Sequence, residues 1–306
     1  MDLLVLLARF GGDAIVLILL YDFFVQPFRF YGMDPLTRFV WGAARWICGP
    51  FDNISRRIIR LPDRDLTPLF ALIIVLFCRG LIYAAAAALN RPDLAVIALG
   101  VTLSFQELFT RLLIPSLLFI IYIDIQLARH QDTFIGNVLV MLVHDLVKRF
   151  VIMIRKLLPS YRPVPVFISI FVILCLFQWV LMVVTLLPFW DSQALNAIPF
   201  VLEPAGLETV DTPLLFLPVV FLQLASTFLF GIFVLLLLNM IAGFSGMDPY
   251  DRTSILLGLI ISPWVTLSRR LFPFARVGVI DFSVGILLFL LWLLMDILAR
   301  IVERLG

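Results

Sequence analysis

Charge is what this sequence has least of. Of its 306 residues only 14% are charged, 62% are hydrophobic, and the mean hydropathy is +1.10. A soluble domain carries about 25% charged and about 45–50% apolar residues, because its surface has to be hydrated. That shortfall excludes an ordinary soluble enzyme, a secreted disulfide scaffold and a disordered chain. Lysine is almost missing: Lys148 and Lys156 are the two lysines among 23 basic residues, and the rest are arginine. The net charge of +2 is too small to argue for a nucleic-acid partner, and none is expected.

Groups that carry chemistry are equally scarce. Cys48, Cys78 and Cys175 stand far apart, with no C-x-x-C pair and no haem-attachment C-x-x-C-H. Each reads as a small buried apolar residue. His130 and His144 lie in one connector, so they cannot form an axial haem pair between two spanning helices. H-E-x-x-H, G-x-S-x-G and a phosphate loop are all missing. Asp22 and Asp124 fall near helix ends, where they read as solvated caps and not as an intramembrane protease pair. The expectation is a protein that is not an enzyme and takes no metal or cofactor.

Long apolar runs are plentiful. Six have the roughly 20 residues that a spanning helix needs, at about 5–28, 66–89, 102–127, 164–188, 215–242 and 280–300. The first has no basic n-region and no A-x-A cleavage site, so it reads as a retained transmembrane helix. Connectors 29–65, 128–163 and 244–279 hold 17 of the 23 basic residues, whereas loop 189–214 is acidic and has none. The positive-inside rule puts the three connectors in the cytoplasm and both termini on the outer side. Polar and apolar residues alternate at helical spacing in 34–61, 132–157 and 248–272, as in amphipathic helices lying in the interface. Such helices meet anionic headgroups, or dock a partner, along their arginine stripe.

The connectors also repeat. Gly32-Met33-Asp34-Pro35 returns as Gly246-Met247-Asp248-Pro249. Pro50, Arg56-Arg57, Pro62 and Asp65-Leu66-Thr67 return as Pro263, Arg269-Arg270, Pro273 and Asp281-Phe282-Ser283. A degenerate middle copy keeps Asp132, Arg155-Lys156 and Pro159. Asp-Pro suits a helix start, since the carboxylate caps free N–H groups and proline fits the first helical position. An arginine pair at a helix end complements its dipole and faces the phosphate layer. The repeats divide the chain at 1–93, 94–190 and 191–306, each a helix, an amphipathic connector and a helix. The fold expected is an all-α membrane protein of six transmembrane helices in three tandem repeats, with pseudo-threefold packing.

With this motif the chain resembles the YggT, or YlmG-like, family of small bacterial and plastid membrane proteins. The resemblance rests on Asp34, Pro35, Pro50, Arg56, Arg57, Pro62, Asp65, Thr67 and Pro68 in the first unit. In the third it rests on Asp248, Pro249, Pro263, Arg269, Arg270, Pro273, Asp281 and Ser283. Family members usually have two such repeats, and this chain has three. The resemblance implies a non-enzymatic inner-membrane protein linked to osmotic stress and cation uptake, cell division, or maturation of membrane protein complexes. It brings no catalytic residues.

Charges also stand inside the apolar runs. Arg9 and Asp13, and Glu107 and Arg111, are spaced four apart, so each pair is expected to close along one helix face. Gln223 and Thr227 occupy the corresponding positions of the third repeat, and Arg79, Gln178 and Asp296 mark the second helices. Arg300 is placed to pair with Asp296. Three readings of this set stand side by side: a structural network, a wet path for cations or protons, or the contact site of a membrane-protein partner.

Overall fold

A computed structural model describes residues 2–26, 35–52, 65–88, 94–127, 147–148, 152, 163–187, 216–244, 252–277 and 280–305. Nine α-helices account for almost all of them. They are α1 (Asp2–Val25), α2 (Pro35–Cys48), α3 (Thr67–Ala88), α4 (Leu94–Glu107), α5 (Ile114–Leu127), α6 (Pro163–Leu186), α7 (Phe216–Phe244), α8 (Arg252–Leu271) and α9 (Ser283–Leu305). A two-residue antiparallel pair, β1 (Arg276–Val277) and β2 (Ile280–Asp281), leads into α9. The protein is an all-α, multi-pass membrane protein: α3, the helix running through α4 and α5, α6, α7, α8 and α9 are long and apolar enough to cross a bilayer.

Two of the sequence boundaries shift. The third span begins at Val96, not at 102, because its helix already starts at Leu94. Among the described residues α8, in a connector expected to be interfacial, is also of spanning length, whereas α1 is not among the six found there. Three charges, Arg9, Asp13 and Asp22, break up the apolar run of α1. In α8 the charges sit at the ends, Arg252 first and Arg269 and Arg270 in the last turn, so the stretch between them is apolar.

The helix starts follow the motif. Asp65 Oδ1 accepts from the Thr67 N–H at 2.9 Å and from the Thr67 hydroxyl at 2.6 Å, capping α3. Gln26 fixes the cap in turn, donating to the Asp65 carbonyl at 2.9 Å and accepting from its N–H at 3.0 Å. Pro35 opens α2, and Ser283 opens α9. Pro50 lies in the 3-10 turn Gly49–Phe51 that ends α2. Pro263 stays inside α8, which continues past it. Asp34, Arg56, Arg57, Asp248 and Pro249 lie outside the described residues, as does the side chain of Asp281.

The chain divides into two compact units. One comprises Met1–Ile114, Phe134–Arg149 and Phe177–Ala205, and the other Pro115–Thr133, Phe150–Leu176 and Gly206–Gly306. These units do not follow the three repeats, since residues 94–190 are shared between them.

In the first unit α3 packs on both α1 and α4. Small residues set the α3–α4 distance: Gly80 and Ala84 face Gly100 and Ser104, each pair four apart. A Cβ on Gly80 would come within 2.6 Å of the Val101 Cα, and one on Gly100 within 2.8 Å of the Gly80 carbonyl. Backbone therefore touches backbone at this crossing. Val16, Leu19, Ala71, Leu72, Leu76 and Leu108 form the apolar core beside it, closed at one end by Cys48 of α2. The opposite side of α2 leaves Phe39 and Trp46 exposed, seven residues apart on one face, as an interfacial helix requires. Asp22 is buried, not a solvated cap.

In the second unit α7 packs against α8 and α9. Phe119, Tyr122, Phe167 and Phe228 cluster with centroids 5.3–6.3 Å apart, three pairs edge to face and two tilted. The Tyr122 hydroxyl donates to the Ile260 carbonyl at 2.8 Å and accepts from Trp264 Nε1 at 2.9 Å. Pro263 lacks an N–H and disturbs the helix ladder there, so a carbonyl in that turn is open to a side-chain donor.

Two outcomes are expected. Gly80→Leu has no space to relax into, so it should destabilise by about 1–3 kcal/mol or more, whereas Gly11→Ala, with nothing within 4 Å, should stay within about 0.5 kcal/mol. Thermal midpoints in detergent read both, and equal midpoints contradict the close crossing. The second concerns Cys48, whose thiol is pushed up to about 12 by burial first and then by Asp22, Asp52 and Asp65. Against the ordinary value of 9.0, its thiolate at pH 8 is depleted roughly 1,000-fold, and alkylation should slow accordingly in the folded protein. The raised value favours the folded state below pH 9, and this contribution fades as pH rises from 9 towards 12. Rapid alkylation of Cys48 at pH 8 in folded protein would contradict its burial.

Candidate functional site

Five charged residues from α1, α3, α4 and the segment after α4 meet within the apolar interior of the first unit. Arg79 is central and only 2% exposed. Its Nε donates to Ser104 Oγ at 2.9 Å, and its Nη2 donates to the Ser104 carbonyl. Its Nη1 donates to Asp13 Oδ1 at 2.7 Å, and Nη2 lies 3.6 Å from Glu107 Oε2. Ser104 Oγ in turn donates to the Leu76 carbonyl at 2.8 Å. The α3–α4 glycine crossing makes this reach possible, because Ser104 lies four residues after Gly100 and Arg79 directly precedes Gly80.

Glu107 is shared. Its Oε2 accepts from the buried Tyr83 hydroxyl at 2.9 Å, and its Oε1 pairs with Arg9 Nη2 at 3.0 Å. Arg79 also lies over the Tyr83 ring, 5.9 Å from its centroid. Gly12 makes room for the guanidinium stem: a Cβ there would sit 3.1 Å from Arg79 Cδ. Arg111 is held loosely, with Nη1 3.7 Å from Asp13 Oδ2 and 3.8 Å from Glu107 Oε1.

The pairing corrects one expectation. Arg9 and Asp13 do not pair along α1; among the described residues Arg9 pairs with Glu107, and Asp13 with Arg79 and Arg111. Helical spacing puts both side chains on one face, but that face meets α3 and α4, whose charges are closer partners than the same helix supplies. The Glu107–Arg111 pair does exist at i,i+4 spacing, yet it is the longest contact of the set.

Arg111 stands in an irregular stretch. Leu108–Leu113 is π-helical between α4 and α5. Pro115 follows directly; it has no N–H to give to the Arg111 carbonyl, and its ring crowds that carbonyl. π-Helical deformations occur frequently at functional sites.

The other polar positions are elsewhere. Thr185 donates to Gln106 at 2.9 Å, joining α6 to α4 within the first unit. Gln178, two turns earlier on α6, is buried, and its Oε1 has no hydrogen-bond partner among the described residues; the same holds for Arg9 Nε. Gln223, Thr227 and Asp296 belong to the second unit. The Thr227 hydroxyl donates to the Gln223 carbonyl within α7, and Asp296 pairs with Arg300 at 2.9 Å on an exposed face of α9. Of the nine positions, Arg9, Asp13, Arg79, Glu107 and Arg111 form one network within the first unit. Tyr83, Ser104 and Gly80 belong to the network and were not singled out in the sequence. The small-residue spacing Gly80/Ala84 against Gly100/Ser104 is the signal that would have found them.

Among the described residues no three His, Cys, Asp or Glu side chains come together as metal ligands. No family model, no curated protein and no solved structure matches this chain.

Removing one member of a buried ion pair costs about 3–5 kcal/mol, because the other charge is left behind. Arg79→Ala and Glu107→Ala should each lose that much stability. In double-mutant cycles Arg9 should couple to Glu107 more strongly than to Asp13. Thermal unfolding of the single and double variants measures this, and stronger Arg9–Asp13 coupling would contradict the cross-helix pairing.

Proposed function

We propose that this is a non-enzymatic protein of the bacterial inner membrane that serves as a scaffold or accessory subunit for other membrane protein complexes. One observation carries the reading: Arg79, 2% exposed, is enclosed by Asp13, Ser104, Glu107 and Tyr83. A charge that relays ions needs water beside it, and this one is surrounded by fixed partners. Such a network specifies which helix lies beside which, a recognised use of buried polar groups. The resemblance of the Asp-Pro and Arg-Arg motifs to the YggT family points the same way.

In this proposal α1 crosses the membrane with its charges paired against α3 and α4. The basic connectors 29–65, 128–163 and 244–279 face the cytoplasm, and α8 lies in the interface with Arg269 and Arg270 toward anionic headgroups. The termini are then periplasmic. Exposed Trp46, Phe39 and Trp292 are surfaces for lipid or for a partner's helices.

A second reading, a cation or proton path linked to osmotic homeostasis, is favoured by the π-helical stretch Leu108–Leu113 and by Gln178 Oε1, which has no hydrogen-bond partner among the described residues. Flux into proteoliposomes separates the two. Purified protein should pass potassium, sodium and protons no faster than protein-free vesicles. A cation flux that Glu107→Gln abolishes would replace the scaffold with a transport protein.

A further inference from the structure

Among the described residues the ionic network does not balance. Three guanidiniums, Arg9, Arg79 and Arg111, face two carboxylates, Asp13 and Glu107. The surplus positive charge is not shared evenly. Arg79 and Arg9 each hold a carboxylate oxygen at 3.0 Å or less, whereas Arg111 comes no closer than 3.7 Å to either. The Arg111 side chain is also 37% exposed, against 2% for Arg79 and 15% for Arg9. The uncompensated cation is therefore the one at the protein surface.

Its depth makes this unusual. The span runs Val96–Leu127, and Arg111 stands at its middle. About 15 residues of helix lie on either side, roughly 22 Å at 1.5 Å per residue. With the roughly 30 Å hydrocarbon core centred on this span, Arg111 lies near the midplane, beyond snorkelling reach of a headgroup phosphate. Charges at bilayer depth are found paired or wet.

The surroundings are apolar and exposed. Leu6, Phe10 and Asp13 follow one another along α1 at spacings of four and three, so an apolar stripe runs into the carboxylate nearest Arg111. Leu6, Phe10 and Phe109 are exposed, and α1 packs against the stretch that carries Arg111. A cation framed by exposed apolar side chains at mid-span matches an apolar helix with one acidic residue.

We propose that Arg111, with the Leu6–Phe10 stripe, is the docking point for a transmembrane helix of another membrane protein that carries a single carboxylate at mid-membrane. This rests on the scaffold reading and gives it a place and a chemistry. The incoming Asp or Glu would complete the network as three cations against three anions. Among the described residues Arg111 has no ion pair shorter than 3.7 Å, so docking breaks no short contact.

The probe is a synthetic polyleucine transmembrane helix with flanking lysines and either Asp or Leu at its centre. Energy transfer to fluorescently labelled protein in phosphatidylcholine vesicles measures association. The Asp helix should bind the parent protein about tenfold more tightly than the Leu helix. Arg111→Gln should remove that advantage, and Arg111→Lys should keep most of it. Equal binding of the two helices to the parent protein overturns the proposal without any variant. So does an Asp advantage that survives Arg111→Gln. Self-association of the protein without peptide, lost in Arg111→Gln, would assign the site to a second copy instead and also overturn it. The scaffold reading is judged separately by the flux measurement, and it survives a negative peptide result if partners dock elsewhere.

Discussion

The guanidinium of Arg79 is the constraint on which the first unit depends. An ionised group with almost no exposure is tolerated inside an apolar bundle only when its donors are met. Meeting them needs Asp13 from α1 and both Ser104 and Glu107 from α4 at fixed positions around α3. The helices cannot slide or rotate without stranding that charge. In a bilayer, where apolar surface gains little by leaving lipid for protein, this directional bonding does much of what a hydrophobic core does in water.

Close packing and charge pairing depend on each other. Gly80 and Gly100 let the α3 and α4 backbones touch, which brings Ser104 within reach of Arg79. Gly12 does the same service on α1, where a side chain would press on the Arg79 stem. A larger residue at any of the three would open the crossing and lengthen the bonds together. The second unit is built differently, with an aromatic group around Tyr122 and a hydroxyl bonded to the backbone near Pro263. One charged pair there, Asp296 and Arg300, lies on an exposed face and so fixes little.

Much of this was legible in the sequence. Apolar runs of about 20 residues located α3, the α4–α5 helix, α6, α7 and α9, since length and hydropathy report directly on the bilayer. The Asp65-Leu66-Thr67-Pro68 cap is local chemistry and reads correctly from four residues. The pairing of Arg9 was not legible, because i,i+4 spacing describes one helix and says nothing of what packs against it. Arg79 stood alone in its run with no sequence neighbour to suggest Ser104, 25 residues away. The basic connector points to an interfacial α8, but the charges lie at its ends, and the stretch between them is long and apolar enough to cross a bilayer.

The central claim is that Arg79 is locked between α1 and α4, away from water. Hydrogen exchange of arginine side chains by nuclear magnetic resonance tests it directly, using arginine-labelled protein in detergent micelles. The Arg79 Nε–H should be protected, far more than that of Arg300, whose side chain is 71% exposed, and Asp13→Ala should weaken the protection. An Arg79 Nε–H that exchanges as fast as that of Arg300 in the folded parent protein would contradict the account.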